Sequence, residues 1–126
     1  MKKIINTDQA PKAVGPYSQA VEAGNFVFIS GQVPIDPATG QIVPGGIAEQ
    51  TEQVLKNIGA ILSKAGLTYD NVVKTTCLLS DMENFVPMNQ VYAQFFSGDK
   101  PARAAYGVVK LPLGALVEIE AIAFKG

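Results

Sequence analysis

The chain has 126 residues, 48% hydrophobic and 17% charged, a globular mixture of the size of one domain. Ten basic residues against eleven acidic ones leave a net charge of −1. The signs are interspersed, which supplies no basic footprint for nucleic acid and no polybasic anchor for anionic lipid.

There is no histidine and only one cysteine, Cys77. Histidine-based triads, histidine metal sites and internal disulfides are therefore excluded, and any chemistry falls to carboxylates, Tyr, Lys, Arg, hydroxyls and backbone N–H groups. No glycine pattern matches a Rossmann turn or a phosphate-binding loop. The basic start Met1 to Asn6 lacks the long apolar segment of a secretory signal, and no apolar run nears the ~20 residues that span a bilayer. The expectation is a soluble cytoplasmic protein.

In chain order, a strand is predicted near Tyr17 to Glu22, joined by the turn Ala23-Gly24-Asn25 to a second strand over Phe26 to Ile35, rich in β-branched and aromatic residues. Asp36 to Gly40 reads as a turn and Pro44-Gly45-Gly46 as a boundary. A helix is predicted from about Ile47 to Ala65, because Ile47, Val54, Leu55, Ile58, Ile61, Leu62 and Ala65 fall on one stripe, and Gly66 stops it.

Asn71 to Leu79 is the next strand, and Ser80 to Glu83 resembles a capping box. The second helix presents Phe85, Met88, Tyr92, Phe95 and Phe96, with Pro87 tolerable only in its first turn. Closing strands are predicted around Arg103 to Val109 and Ala115 to Phe124. The order of elements is three strands, helix, strand, helix and two strands. Two helices cover one face of such a sheet and not the other. Yet Phe26 and Phe28 point to one side of their strand and Val27 and Ile29 to the other, so the second face predicts burial in another copy.

Among polar residues, Arg103 is the only arginine, set between small neighbours in Pro101-Ala102-Arg103-Ala104-Ala105. Its planar fork suits a carboxylate, although a surface position or a structural ion pair fits the spacing too. Glu118 and Glu120, at period two, share a face with Leu116, Ile122 and Phe124. Carboxylates among apolar neighbours are candidates for shifted pKa and for holding water, or for an exposed polar patch or a subunit contact. Tyr17, in Val14-Gly15-Pro16-Tyr17-Ser18, either bonds a ligand or packs its ring. Ser30-Gly31 marks either a close approach of backbone and ligand or a bulge. Asn89 lies near the apolar stripe of the second helix and needs partners if buried. Cys77 reads as an inert core thiol.

These segments together resemble the RidA (reactive intermediate deaminase) family, also called the YjgF family, over nearly the whole chain. The resemblance rests on Gly15-Pro16-Tyr17-Ser18-Gln19-Ala20, Ser30-Gly31-Gln32-Val33-Pro34, Val73-Lys74-Thr75-Thr76, Asn89-Gln90-Val91-Tyr92 with Phe95-Phe96, Pro101-Ala102-Arg103, and Val117 to Ala123, in order and at the right separations. It implies an α+β, chorismate-mutase-like fold: a mixed six-stranded sheet with two helices on one face, assembled as a homotrimer with sites in the clefts between subunits. It implies deamination of 2-imino acids such as 2-iminobutanoate and 2-iminopropanoate to keto acids and ammonia, with no metal or cofactor. In that pattern Arg103 binds the substrate carboxylate, Glu118 holds the attacking water, and Tyr17, Ser30, the Gly31 backbone and Asn89 line the pocket. Ala105 donates a backbone N–H.

Ala105 stands where many relatives carry cysteine. A backbone donor survives that change, whereas a thiol-dependent, oxidation-triggered chaperone role is put in doubt. Val109 stands where relatives often carry a smaller residue. Two other readings stand beside it: a non-catalytic module that binds keto or amino acids in the same cleft, and an endoribonuclease or translation inhibitor, which the charge balance disfavours.

Overall fold

The computed structural model describes residues 1–126. Strands β1 (Lys3–Ile5), β2 (Ala20–Ala23), β3 (Phe26–Gln32), β6 (Val72–Leu79), β7 (Ala102–Gly107) and β8 (Val117–Phe124) form one sheet in the order β1-β2-β3-β8-β6-β7. A two-residue hairpin, β4 (Ile35–Asp36) with β5 (Gln41–Ile42), precedes helix α1 (Ile47–Lys64). Helix α2 (Phe85–Phe95) connects β6 to β7. Those two strands pair parallel, which requires such a crossover, and every other ladder is antiparallel. The expected mixed six-stranded sheet with two helices is therefore present. Ahead of α1 the sheet also contains the short β1, a segment not marked as a strand from the sequence.

The stripe predicted for the first helix is its buried face. Val54, Leu55, Ile58, Ile61 and Leu62 are fully buried against Val27, Val117, Ile119 and Ala123 of the sheet. Each such side chain stabilises by about 1.5–3 kcal/mol relative to exposure. Gly66 follows at φ 78°, the left-handed stop that glycine allows. Polar residues of α1 hold what lies beneath it. Asn57 donates to the carbonyls of Val33 and Ile35, and the Gln50 side-chain oxygen accepts from Leu116 N–H at 2.8 Å. The helix thus fixes the loop after β3 and the start of β8.

Three boundaries differ from expectation. The first hairpin strand begins at Ala20, because residues 15–17 turn sharply and Tyr17 N–H donates to Gly15 O at 2.8 Å. Ser80 does not form the expected capping box: Asp81 accepts the Glu83 N–H at 2.9 Å and caps a 3-10 turn, Met82–Asn84, that runs into α2, while the Ser80 N–H donates to Leu116 O. The strand from Arg103 ends at Gly107, leaving Val109 wholly exposed.

On β8 the alternation is clean. Val117, Ile119, Ala121 and Ala123 are buried beneath the helices, while Glu118, Glu120, Ile122 and Phe124 project from the opposite side. Phe26, Phe28 and Phe124 cluster on that uncovered side with ring centroids 5.2–6.3 Å apart, each about two-fifths exposed. No helix of the structure is long and apolar enough to cross a membrane.

Candidate functional site

Two recesses hold the residues singled out above. The first is a cavity of about 600 Å³ on the uncovered side of the sheet. Tyr17, Ser30, Gly31 and Glu118 line it, with Glu120, Lys12 and Leu113. Its wall is built by hydrogen bonding. The buried Gln19 amide donates to the carbonyls of Thr7 and Pro11 and accepts from Thr7 N–H, which folds the segment carrying Lys12 over the cavity. The Ser30 hydroxyl donates to Ser18 O at 2.6 Å, and Ser30 N–H donates to Gln19 O at 3.0 Å.

In the β3–β8 ladder Ile29 pairs with Ala121 and Gln32 with Ile119, so Ser30 and Gly31 together face Glu120. This is a β-bulge, one of the two readings open for that pair. Burial raises the pKa of the Glu118 carboxyl above the ordinary value of 4.5, and the neighbouring Glu120 charge adds to the rise. No positive charge offsets that rise within one chain.

The second recess is a cleft of about 460 Å³ beside α2, lined by Asn89, Tyr92, Ala93, Lys100, Pro101 and Arg103. The Arg103 guanidinium sits over the Tyr92 ring at 4.9 Å and the Phe85 ring at 5.5 Å from their centroids. Arg103 Nη1 donates to Asn89 Oδ1 at 2.7 Å. Beneath, the Tyr92 and Thr75 hydroxyls share a buried 2.7 Å hydrogen bond. The guanidinium is thus held on an aromatic shelf by a neutral partner.

The chain's two ion pairs lie elsewhere, between Lys56 and Glu52 and between Lys125 and Glu22. Arg103 is not consumed by a structural carboxylate. Phe85, Asn89 and Tyr92 recur at helical spacing, but their apolar members read as core from sequence, so the shelf is not visible there. Ala105 faces the same side two residues on, in register with buried Cys77. Burial pushes the Cys77 thiol up to about 11, as suits an inert core residue.

The two recesses lie on opposite faces. Arg103 is in register with Thr75, and Thr75 with Ala121, all on the helix-covered side, whereas Glu118 has the other parity. The structure therefore brings Tyr17, Ser30, Gly31 and Glu118 together, and Arg103 with Asn89, but does not join the groups within one chain. No group of three or more His, Cys, Asp or Glu side chains stands where it could hold a metal ion.

Comparison with known proteins places these motifs in context. Residues 7–125 match the family model described as Endoribonuclease L-PSP. A Mus musculus protein named 2-iminobutanoate/2-iminopropanoate deaminase is 55% identical over 126 residues, covering 100% of this chain and 93% of the relative. The crystal structure of a candidate endoribonuclease from Thermotoga maritima superposes with a TM-score of 0.97 at 50% identity, covering 100% of this chain and 99% of that one. The structure of TdcF from E. coli with bound serine superposes at 0.95 with 42% identity, covering 98% of this chain and 99% of the other.

Proposed function

Because the chain belongs to the Endoribonuclease L-PSP family, the group its motifs resemble under the names RidA and YjgF, we propose that it hydrolyses reactive 2-imino acids to 2-keto acids and ammonia. The observation that carries this reading is Arg103: a guanidinium fixed by Asn89 and an aromatic shelf, opening on a cleft, with no carboxylate of its own. Such a group is preorganised for a small molecule's carboxylate, which it can take with two parallel charge-assisted bonds. The name of the mouse relative supports the imine as substrate.

In this mechanism Arg103 holds the carboxylate of a small imino acid such as 2-iminobutanoate, and the imine carbon lies beside a water bound to Glu118. A raised carboxyl pKa makes Glu118 a stronger base once ionised, fit to take a proton from that water as its oxygen attacks. Tyr17, Ser30 and backbone N–H groups at Gly31 and Ala105 steady the carbinolamine. Glu118 returns that proton to the imine nitrogen, giving the carbinolamine. The carbinolamine O–H proton then passes by way of Glu118 to the nitrogen as the C–N bond breaks and the C=O bond forms, and ammonia and the keto acid depart.

Since Arg103 and Glu118 face opposite sides of the sheet, the working site takes its clamp from one copy and its base from another. The cluster of Phe26, Phe28 and Phe124 on the uncovered face supports association through that face. The assembly is proposed to be a homotrimer with three such sites.

The test is keto acid release from an imine generated in place by a threonine or serine dehydratase. The parent chain is expected to accelerate release. Arg103→Ala removes two bonds of about 1.5–3 kcal/mol each, a loss of roughly a hundred- to ten-thousand-fold in kcat/KM. Arg103→Lys is expected to lose most of the same, because a point charge does not replace the fork. Full activity in both variants refutes the proposal, and steeply salt-dependent cleavage of RNA would favour the ribonuclease reading instead.

A further inference from the structure

Gly31 sits at the bulge, but its backbone does not call for glycine, since its φ lies outside the left-handed region that Gly24, Gly40 and Gly66 occupy. The space beside it does. A Cβ built at position 31 would have the Glu118 side chain as its three closest atoms: it would overlap Oε2 and come within 3.0 Å of Cδ and 3.2 Å of Cγ. The carboxylate thus occupies the volume that any side chain at position 31 would fill. The strand has no evident slack to relieve this. Ser30, the other bulge residue, is tied through its hydroxyl to Ser18 O and through its N–H to Gln19 O, and Gln32 is buried in register with Ile119.

We infer that Gly31 is a positioning residue: the side chain it lacks is the slot that holds the Glu118 carboxylate against β3 and directs it into the cavity. The inference rests on the role given to Glu118 in the proposed hydrolysis. It goes beyond any backbone contact of Gly31 with substrate, because it assigns a purpose to the missing Cβ. Adding that carbon collides with the free end of a flexible side chain and not with backbone. The chain therefore keeps its fold while Glu118 swings to another rotamer and leaves its water.

A double-mutant cycle on the full chain tests this with the dehydratase-coupled assay. Gly31→Ala is expected to lower kcat about tenfold or more, to change KM by less than about threefold, and to shift the melting midpoint by no more than about 3 °C. Glu118→Gln is expected to lower kcat at least as far. The double variant Gly31→Ala with Glu118→Gln is expected to be no slower than Glu118→Gln alone, since the slot has nothing left to position. The inference is overturned if Gly31→Ala keeps kcat within about twofold, if the two losses multiply in the double variant, or if Gly31→Ala fails to fold. If Glu118→Gln keeps full activity, the catalytic assignment of Glu118 itself falls, and the slot falls with it. The two failures are thus told apart by which single variant stays active.

Discussion

Removing one hydroxyl separates the two tasks of Tyr92. Its ring carries the Arg103 guanidinium 4.9 Å above the centroid, and its OH pairs with Thr75 at 2.7 Å in the interior. Tyr92→Phe keeps the ring and deletes the bond. Thr75 is fully buried, so its hydroxyl is left without a partner, a loss of about 1–3 kcal/mol. At about 2.1 cal/mol/K per residue of unfolding entropy, a chain of this length moves roughly 4 °C per kcal/mol, so the midpoint is expected to fall by about 4–12 °C. Melting followed by circular dichroism at one fixed protein concentration reads this, because association raises the midpoint by mass action. Imine hydrolysis at 25 °C is expected to stay within about twofold of the parent, because the shelf remains. Tyr92→Leu removes the shelf as well and is expected to raise KM by about 2- to 30-fold, the equivalent of 0.5–2 kcal/mol. An unchanged midpoint for Tyr92→Phe refutes the account of the buried pair. A large loss of activity at an unchanged midpoint places the hydroxyl itself on the ligand.

Gly59→Ala in the middle of α1 improves helix propensity by about 1 kcal/mol, yet is expected to destabilise by about 1–2 kcal/mol net in urea titration. The added Cβ would overlap the Tyr69 hydroxyl and come within 2.8 Å of Cζ, and that ring is held by a 2.7 Å bond to Leu55 O and edge contacts with Phe95 and Phe96. A more stable variant refutes the packing argument. Burial and Glu120 raise the Glu118 pKa, so between 4.5 and that raised value the folded chain holds more protons than the unfolded one, and stability falls as pH rises through the window. Glu118→Gln removes this effect. Its stability relative to the parent is expected to be flat below pH 4.5, to grow as pH rises through that window and to level off above it, and parallel pH profiles for the two chains contradict the raised pKa.

Much of the framework was legible because it is periodic. The apolar stripe of α1, its Gly66 stop and the alternation of β8 are repeats long enough to stand out against chance, and the same parity put Glu118 and Glu120 on the uncovered side. Strand β1 was not legible, since Lys3-Ile4-Ile5 is too short to show a period and is held only by its ladder to β2. Ser80 had the right chemistry for a cap and lost it to Asp81, whose carboxylate takes the Glu83 N–H that a Ser80 hydroxyl would have accepted, while the Ser80 N–H goes to the distant Leu116 O. Single residues of the site were chosen by type and by resemblance. Their division between two sides of the sheet was not legible, because the side that Arg103 takes depends on the register of β7 against β6, a long-range pairing absent from local sequence. Tyr92 was visible only as an apolar member of a helix, and nothing in the spacing distinguishes a shelf from core.

The split of clamp and base between the two sides of one sheet has a consequence for inheritance. Under the proposed assembly each protein molecule serves two junctions, lending a different tool to each neighbour. A subunit that has lost only its clamp and one that has lost only its base are each inert as pure populations. Co-expressed, they form rings in which some junctions unite the intact half of each. Two defective alleles can then sustain a function that neither supports alone.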